Sequence, residues 1–245
     1  MFNSPVFNSG VRLQRVLPVL ATSVVLLAGC GVAGTQFSPG VAAEVGDQTI
    51  STKQLDEVTA DFCAAAEADS EGEPGRVPQP LRSLAQRFVV VLINKAIVEQ
   101  LAEDYDVEPS AEYTGYLAQL ENELAELDDD QRAAAVEILG AQAYAEDVLP
   151  TIGGIELAKE DGGATEDADE QAAGQEVLEE WVADHDVKIN PRYGIDFETG
   201  APIDADLSYP AGETAQDGIS QESQPGYAAA LPDTQACLLP GPAAA

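Results

Sequence analysis

The chain has 245 residues, of which 44 are Asp or Glu and only 11 are Lys or Arg, so its formal net charge is −33. This charge repels the phosphates of nucleic acids and of anionic lipids, because binding either requires Lys and Arg clusters that neutralise them. We therefore expect no nucleic-acid partner. The length suffices for one ordinary domain with a tail or for two small domains.

The first 30 residues are organised like a secretory signal that ends at a cysteine. Arg12 and Arg15 give a basic start, and residues 16–27 are almost wholly apolar. About a dozen apolar residues are too few to span a bilayer as a helix, but they fit the apolar part of a signal peptide. The segment ends in LLAGC at residues 26–30, which resembles the lipobox of bacterial lipoproteins.

This resemblance implies that residues 1–29 are a lipoprotein signal peptide and that Cys30 is lipidated after cleavage. The protein would then be extracytoplasmic and anchored to the cell membrane by its lipid. The mature chain holds 9 basic and 44 acidic residues, a net charge of −35. Because no basic cluster helps, the lipid must supply the membrane binding. An ordinary secretory signal with an incidental cysteine is the alternative.

The first elements of the mature chain follow a tether, residues 30–40, that is rich in small residues and predicts flexibility. Two strand-like runs then flank Gly46-Asp47, a pair that favours a two-residue hairpin turn. Ser51 followed by Gln54 is a capping-box arrangement that predicts the start of a first helix. Residues 67–80 are polar and contain three prolines and two glycines, which predicts a loop.

Three helices are predicted next from apolar residues at helical spacing. The first of them, about residues 81–105, is apolar on too many sides for one stripe, which indicates the buried centre of the domain. Ser110 is predicted to be the N-cap of the second of these helices. The acidic residues 128–130 favour the start of the third helix, which is predicted to end near Leu149. Its inward-facing residues are predicted to be Val136, Leu139, Tyr144 and Val148.

The composition changes in the C-terminal third of the chain. Residues 153–174 are rich in Gly, Ala and acidic residues, which is typical of a flexible acidic connector. A last helix is predicted at about residues 175–185, with a strand at 186–191. Residues 195–245 contain many Pro, Gly, Ser and acidic residues and predict an extended tail that is ordered only where something pins it.

A disulfide bond is one way to hold the tail against the domain. Once Cys30 is lipidated, Cys63 and Cys237 remain, and outside the cytoplasm they have a single intramolecular pairing available. A disulfide between them would tie the tail to the first helix. In the chain-entropy model a loop of about 174 residues is worth roughly 4–5 kcal/mol. Two free buried thiols are the alternative.

Three short motifs frame residues 41–194. Residues 43–51 (AEVGDQTIS) look like a V-x-G-x-x-I-(S/T) opening before the first helix. Residues 106–112 (DVEPSAE) form the start of a later helix, and residues 187–194 (VKINPRYG) form a strand with an N-P-(R/Y)-(Y/F)-G ending. In content and order these motifs resemble the chaperone part of the SurA/PrsA-type foldases.

The resemblance implies a mainly α fold of the SurA N-terminal type over residues 41–194, with the opening hairpin and the closing strand in one small sheet. It also implies a chaperone or holdase that binds unfolded or extended secreted polypeptides. These foldases usually carry a parvulin prolyl-isomerase domain before the last helix. Here the interval 155–175 is too short for a domain, and the chain has a single histidine, His185. We therefore expect no prolyl-isomerase activity.

Five apolar residues of the predicted Ser110 helix are candidates for a peptide-binding groove: Tyr113, Tyr116, Leu117, Leu120 and Leu124. Core packing is the alternative, because a helix this short needs tertiary burial to persist.

No other pattern indicates an active site. His185 has no second histidine with which to form a metal site and is expected to be an ordinary helix-end residue. The serines lack a G-x-S-x-G setting, and no carboxylate pair stands out. We expect no catalytic residue, metal or cofactor. The alternative function is that of a structural or accessory envelope lipoprotein that holds one folded partner. A third hypothesis is an enzyme whose catalytic carboxylates no sequence pattern reveals.

Overall fold

The computed structural model describes residues 39–69, 76–160, 167–197 and 226–239. The predicted signal peptide, the lipidation site Cys30 and most of the tether lie outside the described residues, as do residues 198–225 and 240–245 of the tail. Within the described ranges, none of the helices combines the length and the apolar character that a membrane span requires.

The described chain is mainly α-helical with a small amount of antiparallel sheet, which confirms the predicted fold class. The helices are α1 (Thr52–Asp69), α2 (Leu81–Tyr105), α3 (Ala111–Glu123), α4 (Asp129–Glu160) and α5 (Asp167–Asp184). The strands are β1 (Val41–Val45), β2 (Gln48–Ser51), β3 (Val77–Pro80), β4 (Val187–Ile189) and β5 (Ala236–Leu239).

The first sheet joins the two ends of the helical domain. Its strand order is β2-β1-β4, and β1 is antiparallel to both neighbours. Gly46 makes the hairpin turn with φ at +55°, a left-handed conformation that glycine adopts without strain. Asn190, just after β4, donates hydrogen bonds to the carbonyls of Val41 and Ala42 at 2.7 and 2.8 Å. The shared sheet that the resemblance implied is present.

A second sheet pairs β3 with β5 in antiparallel fashion. The prediction of a loop over residues 67–80 was therefore wrong at both ends, since α1 continues to Asp69 and residues 77–80 form a strand. Prolines at 78 and 80 argue against a central strand but are compatible with an edge strand. The partner of β3 comes from the tail, more than 150 residues away, so no local pattern could reveal it.

Helix α2 is the centre of the fold, as its broad apolar surface predicted. Val89, Ile93, Ile97 and Val98 have no exposed surface. Helices α1, α4 and α5 and strand β1 all pack against this helix. Its last turn ends at Asp106 in the left-handed conformation, which Asp tolerates better than most residues do.

Helices α4 and α5 replace the flexible connector predicted for residues 153–174. Helix α4 does not end near Leu149 but runs through Pro150 to Glu160, and α5 begins at Asp167. Only residues 161–166 of the interval lie outside the described chain. The helices replace the connector because they pack closely on one another.

Two glycines make this close packing possible. A Cβ on Gly153 would overlap the carbonyl oxygen of Glu170, and one on Gly174 would overlap the carbonyl of Leu149. The glycines of residues 153–174 therefore allow close contact between two helix backbones. The glycine-rich composition of this segment had predicted a flexible connector instead.

Candidate functional site

The start of α3 is fixed both within the helix and to α4. The hydroxyl of Ser110 accepts hydrogen bonds from the amides of Glu112 and Tyr113, at 3.2 and 3.1 Å. The amide of Ser110 donates to the carboxylate of Asp147 on α4 at 2.8 Å, and its hydroxyl donates to the other oxygen of that carboxylate. Ser110 is thus the predicted N-cap, and it also orients α3 against α4.

Close packing continues along the two helices. Gly140 on α4 leaves room for α3, because a Cβ there would lie 2.8 Å from Cδ2 of Leu117. The rings of Tyr113 and Tyr144 meet edge to face, with centroids 5.5 Å apart. This geometry is a favourable one for aromatic pairs.

The five predicted groove residues have different environments. Leu120 is buried, while Tyr113, Leu117 and Leu124 are half-buried. The side chain of Tyr116 is 40% exposed. Core packing therefore accounts for part of this set, and Tyr116 is the member that faces solvent.

Leu139 on α4 was predicted to face inward but is a large exposed apolar residue. It is 40% exposed, whereas its neighbour Ile138 is buried. Adjacent helical residues point about 100° apart, so both could not face the same core. We use the name α3–α4 face for these apolar residues of the two packed helices: Tyr113, Tyr116, Leu117 and Leu139.

The charge around this face is almost entirely negative. Residues 103–156 contain 15 acidic residues and one basic residue, Arg132, which pairs with Asp129. Burial raises the pKa of both Tyr113 and Tyr144, and the nearby carboxylate of Glu99 raises it further. Both phenols are therefore neutral at neutral pH and act as apolar rings with a polar end.

A surface cleft of about 320 Å³ lies between α1 and α4. Four carboxylates line it: Glu57, Asp61, Asp130 and Glu137. Lys53 pairs with Glu57, and Gln54 donates a hydrogen bond to Glu137 at 3.1 Å. No histidine or cysteine lines the cleft.

His185 lies just beyond the end of α5, where the sequence placed it. Its ring stacks on the buried Trp181, with centroids 4.0 Å apart, and Nδ1 lies 2.8 Å from the Trp181 carbonyl oxygen. A ring held in this way has a packing role at the helix end.

Cys63 on α1 and Cys237 on β5 lie at disulfide distance, with Cα atoms 5.7 Å apart. The carboxylate of Glu67 is the third member of a group whose potential ligand atoms all lie within 4.8 Å of one another. In a disulfide the two sulfurs lack the thiolate form that binds metals. The group as it stands therefore ties the tail to α1 and is not a metal site.

Comparison with known proteins gives no relative of this chain. No family model, no curated protein and no solved structure matches it. The likeness to the SurA/PrsA-type foldases thus rests on the three motifs and on the order of the elements.

Proposed function

We propose that the protein is a lipid-anchored, extracytoplasmic chaperone without catalytic activity, which holds unfolded secreted polypeptides on its α3–α4 face. The observation that carries this proposal is the exposure of Tyr116 and Leu139 on two helices that meet at Gly140. Large exposed apolar residues on a packed pair of helices are candidates for binding other polypeptides.

The packing of α3 supports this role. Of its 13 residues only Leu120 is buried, so most of the helix surface is available to a partner. At the same time the link between Ser110 and Asp147 holds the helix in place. A surface that is already ordered loses little conformational entropy when it binds.

The acidity of residues 103–156 suits an unfolded client. It attracts segments that carry Lys and Arg, and it keeps copies of the protein apart by mutual repulsion. The apolar side chains then supply the contact that does not depend on charge. A holdase needs both properties, since it must expose apolar surface without aggregating itself.

The predicted anchor would place this surface where exported chains emerge. Cys30 and Pro39, the first described residue, are nine residues apart in sequence. A chain of this length reaches at most about 30 Å. Lipidation at Cys30 would therefore keep the start of the described domain within about 30 Å of the membrane surface.

Aggregation of a chemically denatured client, followed by light scattering, tests the proposal. The mature chain with Cys30→Ser should suppress aggregation at a one-to-one ratio. The double variant Tyr116→Ser, Leu139→Ser should lose at least half of this effect. The double variant Gln119→Ser, Gln142→Ser is the matched control, because both residues are exposed on the same two helices but are polar.

Each other outcome has a clear meaning. No suppression at stoichiometric excess would rule out a holdase. Full suppression by the double variant would place binding outside the α3–α4 face. Crosslinking of one stable, folded partner in the absence of holdase activity would instead support an accessory envelope lipoprotein.

A further inference from the structure

The C-terminal strand β5 lies on α1 and β3 as an extended peptide lies in a binding site. Its four residues differ sharply in environment: Cys237 has no exposed surface, Leu238 is 39% exposed, and Leu239 packs partly against the core. Such alternation is what a strand shows when one of its faces is recognised.

Strand β3 offers hydrogen-bond donors on one edge alone. Pro78 and Pro80 have no N–H, so Val77 and Gln79 are its only amide donors. Alternate residues of a strand direct their amides to the same edge. Val77 lies opposite Leu239 and Gln79 lies opposite Cys237, so this strand can donate to one neighbouring strand only.

The opposite edge of β5 is held by a side chain of α1. The amide of Leu238 donates to the carboxylate of Glu67 at 2.8 Å. Leu238 lies opposite Pro78 in the ladder, which agrees with an amide that points away from β3. Main-chain groups of β5 are thus recognised on both edges, and this kind of recognition does not depend on the sequence of the bound strand.

The side chain at position 237 fits into a pocket between these edges. Cys237 reaches Cys63 on α1, which is also buried, at 7% exposure. The neighbouring Phe62 packs edge to face on Phe88 of α2, with centroids 4.8 Å apart. The Cys237 side chain is therefore enclosed beside Cys63, with the Glu67 carboxylate at the edge of the group, and the position is sized for a small side chain.

We infer that α1 and β3 form a strand-acceptor site for extended polypeptide segments, which the chain's own β5 fills and the Cys63–Cys237 disulfide closes. The partner is an extended apolar segment with cysteine or another small residue at the pocket position. This inference does not rest on the α3–α4 face.

Opening the site requires a dithiol reductant. Two electrons and two protons pass to the disulfide, the sulfur–sulfur bond breaks, and Cys63 and Cys237 become thiols while the dithiol becomes a disulfide. Strand β5 then stays in place through non-covalent contacts alone. A segment of another polypeptide that makes the same main-chain contacts can replace it.

Covalent capture of a peptide tests this exchange. The mature chain with Cys30→Ser and Cys237→Ser keeps Cys63 as a free thiol and its own tail uncrosslinked. The probe is the peptide PDTQACLL, residues 232–239, with its cysteine activated as a thiopyridyl disulfide. Cys63 attacks this disulfide, forms the peptide–protein disulfide and expels thiopyridone, whose absorbance is followed.

We expect capture of this peptide to be at least tenfold faster than capture of a scrambled peptide of the same composition. Glu67→Ala should remove most of the difference, whereas Glu57→Ala, an exposed carboxylate on the same helix, should not. N-methylation of the amide at the Leu238 position should act like Glu67→Ala. Equal rates for the two peptides would overturn the inference.

Hydrogen exchange of the chain with both cysteines intact provides a second test that needs no cysteine variant. On reduction, residues 236–239 should lose protection while α2 and the sheet of β1, β2 and β4 keep theirs. Added PDTQACLL peptide should restore protection to residues 76–80. Loss of protection throughout the helices would show that β5 is an inseparable part of the core, and unchanged protection would show that it does not exchange. Either result would overturn the inference.

Discussion

Tyr105 and Glu156 form a hydrogen-bonded pair between the end of α2 and α4. The phenol of Tyr105 donates to the Glu156 carboxylate. Lys159 donates to the same carboxylate at 2.7 Å, and its ammonium lies 4.9 Å from the centre of the Tyr105 ring. The hydrogen bond to Glu156, with a further contribution from burial, raises the pKa of Tyr105 from 10.0 to about 12. The hydrogen bond from Lys159, followed by that from Tyr105, lowers the pKa of Glu156.

Because of this pair, the stability of the fold should depend on pH in the alkaline range. The folded state favours the neutral phenol, so the pair stabilises the fold below pH 10, and this stabilisation is lost as the pH rises to about 12. Glu156→Gln should bring the pKa of Tyr105 back toward its ordinary value. Absorbance of tyrosinate against pH measures it, with Tyr105→Phe subtracted to isolate this one tyrosine. Coincident titrations of the original chain and Glu156→Gln would contradict the assignment.

At the scale of elements, the contact between α4 and α5 decides whether the C-terminal part of the domain is helical. Ile152 on α4 has no exposed surface, and Gly153 and Gly174 bring the two backbones together. Helix propensity alone disfavours glycine by about 1 kcal/mol relative to alanine. The gain from close packing therefore outweighs a local preference against helix.

Substitution of these glycines tests that balance. Gly153→Ala and Gly174→Ala should each destabilise the protein by about 2–3 kcal/mol, because the added Cβ overlaps main-chain atoms that cannot move aside easily. Gly115→Ala on α3 is the control. A Cβ there meets nothing within 4 Å, so it should stabilise by about 0.5–1 kcal/mol. Urea unfolding gives all three values, and an unchanged midpoint for Gly153→Ala would refute the close contact.

At the scale of the whole molecule, the dominant feature is uncompensated negative charge. The ion pairs formed between described residues are local, since each joins residues two to four positions apart: Lys53–Glu57, Lys95–Glu99, Arg132–Asp129, Lys159–Glu156 and Lys188–Asp186. Local pairs of this kind contribute little to stability. Repulsion among the remaining carboxylates therefore opposes the compact state.

Screening of this repulsion should stabilise the protein. Raising NaCl from about 0.02 M to about 0.5 M shortens the screening length several-fold. We expect the melting temperature at pH 7 to rise by about 3–6 °C, which corresponds to about 1–2 kcal/mol. Calorimetry at pH 4 is the control, because partly protonated carboxylates should reduce the effect. A melting temperature that falls with salt at pH 7 would contradict this account.

The first candidate site was partly predictable from the sequence. Ser110 and the apolar spacing after it placed α3 correctly, with four of the five candidates within the helix and Leu124 at its C-cap, because N-caps and helical periodicity are local properties. Which of those residues are exposed depends on Gly140 and on the approach of α4, so Tyr116 could not be distinguished from Leu120. The strand-acceptor site was not predictable beyond its two cysteines, since Glu67 and Pro78 gain their roles only when β5 lies beside them.

The sequence by itself determined the starts of α1 to α4, the hairpin turn at Gly46 and the central position of α2. Ser51 shows how local these signals are: its hydroxyl accepts the amide of Gln54 at 3.0 Å, although the Gln54 side chain reaches Glu137 on α4 and does not complete the capping box. Only the tertiary structure decided that β3 is a strand, that α4 passes Pro150 and that β5 lies on α1. The physical reason is the same in each case: a proline-rich or glycine-rich segment has a weak local preference, and burial against a distant partner determines its conformation.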